Sequence, residues 1–123
     1  MEYAAQFSSS GGQQPEAWAG EREAEGWAGI SSADHIGGSG GTAPHIFVTL
    51  ARLINATHRV KVYPAFANNL ARSPVEFAQA ALALQEASNG RYEAALGSGW
   101  ERSEITGLGF DYPEPAARAR RFR

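Results

Sequence analysis

Short β-prone runs alternate along the chain with longer stretches in which apolar residues recur every three or four positions. That alternation predicts repeated βα units on a parallel sheet. Tyr3 to Phe7 reads as the first strand and runs into a loop of Ser8, Ser9, Ser10, Gly11 and Gly12. Pro15 suits a first helical turn, and Glu16 to Glu25 carries Ala and Glu at helix-forming density before Gly26 stops it. Trp27 to Ala33 then reads as a second strand.

A flexible Gly37 to Gly41 loop follows, with Thr42 as the expected N-cap and Pro44 just inside the next helix. Phe47, Leu50, Ala51, Ile54 and Ala56 give that helix one buried face. Arg59 to Tyr63 alternates polar and apolar, as a third strand does. Pro74 starts a third helix, for which Val75, Ala78, Ala81, Leu82 and Leu84 are the expected buried side, and Asn89-Gly90 ends it. Tyr92 to Leu96 is the fourth strand, running into Gly97-Ser98-Gly99-Trp100. Glu101 to Tyr112 reads as a long βα loop, and Pro113 or Pro115 opens one more helix.

Length sharpens this picture. A closed (β/α)₈ barrel needs on the order of 250 residues, and the chain has 123. The fold class expected is therefore α/β, a parallel (β/α)4 half of a (β/α)8 TIM-type barrel, with residues 1–123 as one partial domain ending after about four βα units. An apolar content of 43% suits a globular chain, and a net charge of −2 points to neither nucleic acid nor an anionic membrane as partner. With no Cys there is no disulfide framework and no thiolate metal site. No window approaches the roughly 20 apolar residues of a membrane span. Met1 to Gln6 lacks a basic segment followed by an apolar run, so a soluble cytoplasmic protein is the default expectation.

In parallel βα units the functional side chains leave the carboxyl ends of the strands. The residues there are Asp34-His35, then Phe66 to Asn69, then Gly97 to Trp100. An acid-imidazole pair, an amide-rich turn and a Gly-Ser-Gly-Trp turn suit a flat, polar ligand. Each also has a plainer role: the acid can cap a loop, and a lone Gly-x-Gly is weak evidence of phosphate binding. His45 and His58 flank the second helix as surface residues, and without a His-x-x-x-His spacing no metal site is expected. Asn55-Ala56-Thr57 matches a glycosylation acceptor but falls on a helix end, so it is set aside. Arg118, Arg120 and Arg121 read as the solvated face of the last helix.

Taken in order, these segments resemble the luciferase-like monooxygenase superfamily, which includes bacterial luciferase and coenzyme F420-dependent reductases and dehydrogenases. Ala24-Glu25-Gly26-Trp27 is similar to the family's end of helix one, and Ser32-Ala33-Asp34-His35 to its second strand with a "DH" pair. VYPAFANNLARSP, from Val62 to Pro74, is similar to its "LGTGVTNPxxRHP" segment. Ser88-Asn89-Gly90-Arg91 matches its "SGGR" turn, and Leu96 to Trp100 its "GLGAGW" strand. Asn69 stands where a Pro is usual, Ser73 where a His is, and Asn89 where the turn has its first Gly.

The resemblance implies a site. His35 would lie beside a flavin or deazaflavin ring and assist proton transfer, with Asp34 next to it and Glu104 as a further acid. The Ala65-Phe66 peptide would be a non-prolyl cis bond forming a bulge against the ring. Asn68 would hydrogen-bond near the ring edge, with Gly97, Ser98, Gly99 and Trp100 close by. The cofactor expected is coenzyme F420 or FMN, serving hydride transfer or monooxygenation on a small-molecule substrate. The phosphate loops of such barrels commonly follow strands seven and eight, so an isolated half-barrel is expected to be inactive. The alternatives are a non-catalytic half-barrel interaction module, forming homodimers or pairing through its open sheet edges, and an unrelated βα protein binding a phosphorylated metabolite.

Overall fold

A computed structural model of the chain describes residues 2–37 and 43–122. The β-prone runs pair in parallel, as the alternation requires. β1 (Ala4–Phe7), β2 (Gly29–Ser32) and β3 (Lys61–Pro64) form one sheet in that order, with Ala5 opposite Ile30 and Ile30 opposite Val62. A second parallel ladder joins β4 (Ala67–Asn68) to β5 (Leu96–Gly97). The two ladders are linked where Val62 bridges Tyr92, with the Glu93 amide donating to the Val62 carbonyl at 3.0 Å.

The fourth strand expected over Tyr92 to Leu96 is thus interrupted. Five steps from Val62 to Ala67 face four steps from Tyr92 to Leu96, so the third strand carries one extra residue. The extra residue falls in the stretch that holds the Ala65-Phe66 peptide, which is cis.

Helices α1 (Pro15–Ala24), α2 (Ile46–Asn55) and α3 (Pro74–Ala87) build the core against the strands. Ile46, Phe47, Leu50, Leu53 and Ile54 of α2 are buried with Ile30, Val62 and Trp18. Each fully buried aliphatic side chain contributes about 1.5–3 kcal/mol. Helix α2 begins two residues after Pro44, with His45 in the N-cap position. Thr42 and most of the Gly37 to Gly41 loop lie outside the described residues. His45 and His58 are exposed.

The buried side of α3 differs from the expected one. Val75 and Leu82 are 67% and 72% exposed, and Ala78 is exposed, whereas Phe77, Ala80, Ala81 and Leu84 face the core. Apolar residues occur on both sides of this helix, and the ring contact of Phe77 with Phe47, 6.0 Å between centroids, selects the side. The Ser73 hydroxyl caps α3 by accepting from the Glu76 amide, and Asn89 and Gly90 end it at positive φ.

Two polar side chains, Glu23 and Arg91, fix the turn that feeds β3. The Glu23 carboxylate accepts from the amides of His58, Arg59 and Val60 at 2.7–3.1 Å. Arg91 donates to the carbonyls of Ile54, Thr57 and Val60, which satisfies the carboxyl end of α2. After β5 the chain forms two further short helices, α4 (Arg102–Gly107) and α5 (Pro115–Arg120). Helix α4 replaces the first half of the loop expected there: the Glu101 carboxylate caps it by accepting from the Ser103 amide, and Ile105 anchors it, fully buried. Among the described residues no helix is long and apolar enough to cross a membrane.

Candidate active site

The carboxyl ends of β2, β4 and β5 deliver their outgoing residues to one place, as parallel strands must. A cavity of about 520 Å³ lies there, lined by Asp34, His35, Ala65, Phe66, Asn68, Gly97, Ser98, Gly99, Trp100 and Glu104 together with Ala33, Leu96 and Glu101. All ten residues singled out in the sequence therefore share one wall, although they span 71 positions from the first to the last of them.

His35 meets Glu104. Its Nδ1 lies 2.7 Å from Glu104 Oε1, with the imidazole 49% exposed and the carboxylate 8% exposed. Helix α4 brings this acid into place. The Trp100 ring stands edge-on to the imidazole, 6.5 Å between centroids. Glu101 lies on the same rim, and its carboxyl is held below the ordinary range by the Ser103 hydroxyl, by the Ser103 amide and by the neighbouring His35.

Asp34 is engaged elsewhere. Its carboxylate forms a two-point ion pair with Arg72, one contact being Arg72 Nη2 to Oδ1 at 2.9 Å, and the two side chains are 2% and 7% exposed. Oδ2 also accepts from the Asn68 amide at 2.7 Å. Asp34, adjacent to His35 in sequence, thus pairs with Arg72 rather than with the imidazole. A buried carboxylate needs a buried cation, and Arg72 supplies one, packed over the Phe47 ring at 5.2 Å. Arg72 escaped the sequence reading although it sits inside the VYPAFANNLARSP segment, because nothing local announces a partner 38 positions away.

Backbone geometry shapes the rest of the wall. Gly99 has φ +71, and a Cβ there would stand 2.8 Å from Asn68 Oδ1 and 2.8 Å from Leu70 Cδ1. At Gly97 a Cβ would come within 3.1 Å of the Phe66 Cβ. Only glycine allows the two turns to approach this closely. Phe66 and Trp100 remain 63% and 75% exposed at the rim, presenting flat aromatic surface.

No Arg or Lys lines the cavity among the described residues. Among the same residues no group of three or more His, Asp and Glu could hold a metal ion.

Residues 7–122 match the family model described as luciferase-like monooxygenase. The chain belongs to the luciferase-like monooxygenase family. Among solved structures it is similar to monooxygenase RslO1 from Streptomyces bottropensis, with 21% identity and a TM-score of 0.80 over 96% of this chain and 39% of that one. It is likewise similar to an F420-dependent secondary alcohol dehydrogenase in complex with an F420-acetone adduct, with 19% identity and a TM-score of 0.76 over 96% of this chain and 38% of that one. A third is riboflavin lyase with modified FMN and riboflavin, with 18% identity and a TM-score of 0.73 over 88% of this chain and 28% of that one. At these identities the likeness is one of fold. The chain spans about two fifths of the length of the first two luciferase-like structures.

Proposed function

We propose that the chain supplies one wall of the cofactor and substrate site of a coenzyme F420- or flavin-dependent oxidoreductase. The observation that carries this reading is the His35–Glu104 hydrogen bond, set in a cavity walled by Phe66, Asn68 and residues 97–100. Such a cofactor, when bound, supplies hydride or oxygen chemistry that protein side chains lack. The residues that would hold its ring are Ala65, Phe66, Asn68, Gly97, Ser98, Gly99 and Trp100. The glycine turns let backbone approach closely, and the exposed rings of Phe66 and Trp100 offer flat apolar contact.

His35 and Glu104 are the proposed proton-transfer residues. With Nδ1 tied to Glu104, Nε2 is the nitrogen left to take a proton from a substrate hydroxyl or to return it. The Glu104 carboxylate orients the imidazole through its contact with Nδ1. Asp34 is proposed to act one step back: paired with Arg72, it holds the Asn68 amide and so the turn against which the ring would lie.

The F420-acetone adduct of the structurally similar dehydrogenase favours a secondary alcohol or ketone as substrate class. The modified FMN of the similar riboflavin lyase keeps FMN as the second cofactor. Among the described residues no Arg or Lys lines this cavity to meet a cofactor phosphate, so binding by the chain is expected to be weak, with Kd on the order of 1 mM, or about −4 kcal/mol. Absorbance titrations with coenzyme F420, FMN and inorganic phosphate, each offered separately, test this. Weak perturbation of the ring spectra with no phosphate binding supports the reading. Saturation by phosphate alone would support the phosphorylated-metabolite alternative instead, and submicromolar affinity for either cofactor would contradict the one-wall site.

A further inference from the structure

We propose that Tyr112 and Arg118 are positioning residues that hold Trp100 against His35, through the backbone carbonyls of Gly99 and Trp100. The functional meaning of this clamp rests on the site proposed above, while its geometry stands apart from it.

The Trp100 indole is 75% exposed, so packing does little to fix it. Its edge-on contact with the His35 ring depends on where its backbone is held. Two groups hold that backbone. The Tyr112 hydroxyl lies 3.1 Å from the Gly99 carbonyl oxygen and 3.0 Å from that of Trp100, and donates to this pair. Arg118 Nη1 donates to the Gly99 carbonyl and to the Tyr112 hydroxyl oxygen, the latter at 2.7 Å.

The guanidinium of Arg118 also lies 4.5 Å from the Tyr112 ring centroid, and that of Arg102 lies 5.5 Å from the same centroid. Cations near the face of an aromatic ring are attracted to its negative quadrupole, so the phenol is held in place as well as hydrogen-bonded. Opposite the clamp, Asn68 and Leu70 press on Gly99 closely enough that a Cβ would collide with them. The turn is therefore gripped from two sides.

One helical turn along, Arg121 Nη2 donates to the Asn69 carbonyl at 2.7 Å. Helix α5 thus ties together the turns that leave β4 and β5, both of which wall the cavity. Neither Arg118 nor Arg121 pairs with a carboxylate among the described residues; Arg118 Nη1 and Arg121 Nη2 donate to these carbonyls. Arg118 is partly buried against these turns, whereas Arg120 and Arg121 are exposed, as expected for the solvated face of the last helix.

The test is NMR on the full chain labelled with 5-fluorotryptophan, using Arg118→Gln, Arg118→Lys and Tyr112→Phe. Arg118→Gln and Tyr112→Phe are expected to abolish the cross-relaxation peak between the Trp100 and His35 rings and to move the Trp100 fluorine resonance towards that of free fluorotryptophan. The Trp18 and Trp27 resonances should stay in place. Arg118→Lys should keep the cross-peak, since an ammonium can still donate to the Gly99 carbonyl. An unchanged cross-peak and resonance in both Arg118→Gln and Tyr112→Phe would overturn the proposal. So would equal movement of all three Trp resonances, which would mark a role in the fold alone. The readout needs no cofactor, so failure to bind FMN or F420 would count against the proposed function and not against the clamp.

Discussion

The imidazole of His35 and the carboxylate of Glu104 meet at 2.7 Å across 69 positions of sequence, one carried out of β2 and the other on α4. In a protein that turns over substrate on this wall, His35→Ala should lower kcat by about 10²- to 10⁴-fold, the usual contribution of a positioned proton-transfer group. Cofactor affinity should change little. Glu104→Gln should lower kcat less, because the amide can still hold Nδ1 while losing the charge. Steady-state kinetics on the two variants check this, and an unchanged kcat in His35→Ala removes the imidazole from the mechanism.

Asp34 and Arg72 form a buried pair, and removing one member leaves the other charged and unpartnered. Asp34→Ala should destabilise the chain by about 3–5 kcal/mol. The double variant Asp34→Ala/Arg72→Met should be more stable than Asp34→Ala alone. Urea denaturation measures both, and a loss below about 1 kcal/mol, the scale of an exposed pair, would mean that the pair is not buried in solution.

Glu23 links acid stability to the turn before β3. Burial alone pushes its carboxyl up, but the amides of Arg59, His58 and Val60, with the Arg59 charge, outweigh this, and the net direction is down. A depressed folded value means that the stabilisation is present above the unfolded glutamate value of about 4.3 and is lost as pH falls through the folded one. Glu23→Gln should therefore cost about 1.5–3 kcal/mol at pH 7, the range for hydrogen bonds to a charged group. The difference from wild type should shrink below about pH 4. Denaturation at pH 7 and pH 3.5 reads the effect, and a pH-independent difference would contradict it.

Gly99→Ala places a Cβ at positive φ and 2.8 Å from both Asn68 Oδ1 and Leu70 Cδ1. The left-handed backbone alone costs roughly 1–2 kcal/mol, and the collision must displace the Asn68 side chain. Gly97→Ala meets only the Phe66 Cβ, at 3.1 Å, and should be the milder change. Thermal unfolding of the two variants gives the order, and equal losses would contradict it.

The strands and main helices were legible because βα alternation is a local pattern, written in Val60 and Val62, in the Leu50 and Ile54 stripe, and in the Pro74 and Asn89-Gly90 boundaries. The gathering of Asp34, His35, Asn68 and Gly97 around one cavity was legible for the same reason, since parallel strands bring them to one edge whatever lies between them. What escaped depends on distant contacts. Phe77 rather than Val75 faces the core because Phe47 waits opposite it. Asp34 turns to Arg72, and Glu104 reaches His35, through pairings with no local signature. Helix α4 is only six residues long, with Ile105 as its buried anchor, too short for a periodic pattern to show.

We propose that a planar flavin-type ring lies against residues 65–68 and 97–100, within reach of His35. Amide and side-chain NMR shifts of the chain, followed as FMN or coenzyme F420 is raised to millimolar concentration, test it most directly. Weak, saturable shifts confined to His35, Phe66, Asn68, residues 97–100 and Glu104 are expected, with cross-relaxation from ring protons to Phe66 or Trp100. Shifts centred elsewhere on the molecule, or none with either cofactor, would contradict it.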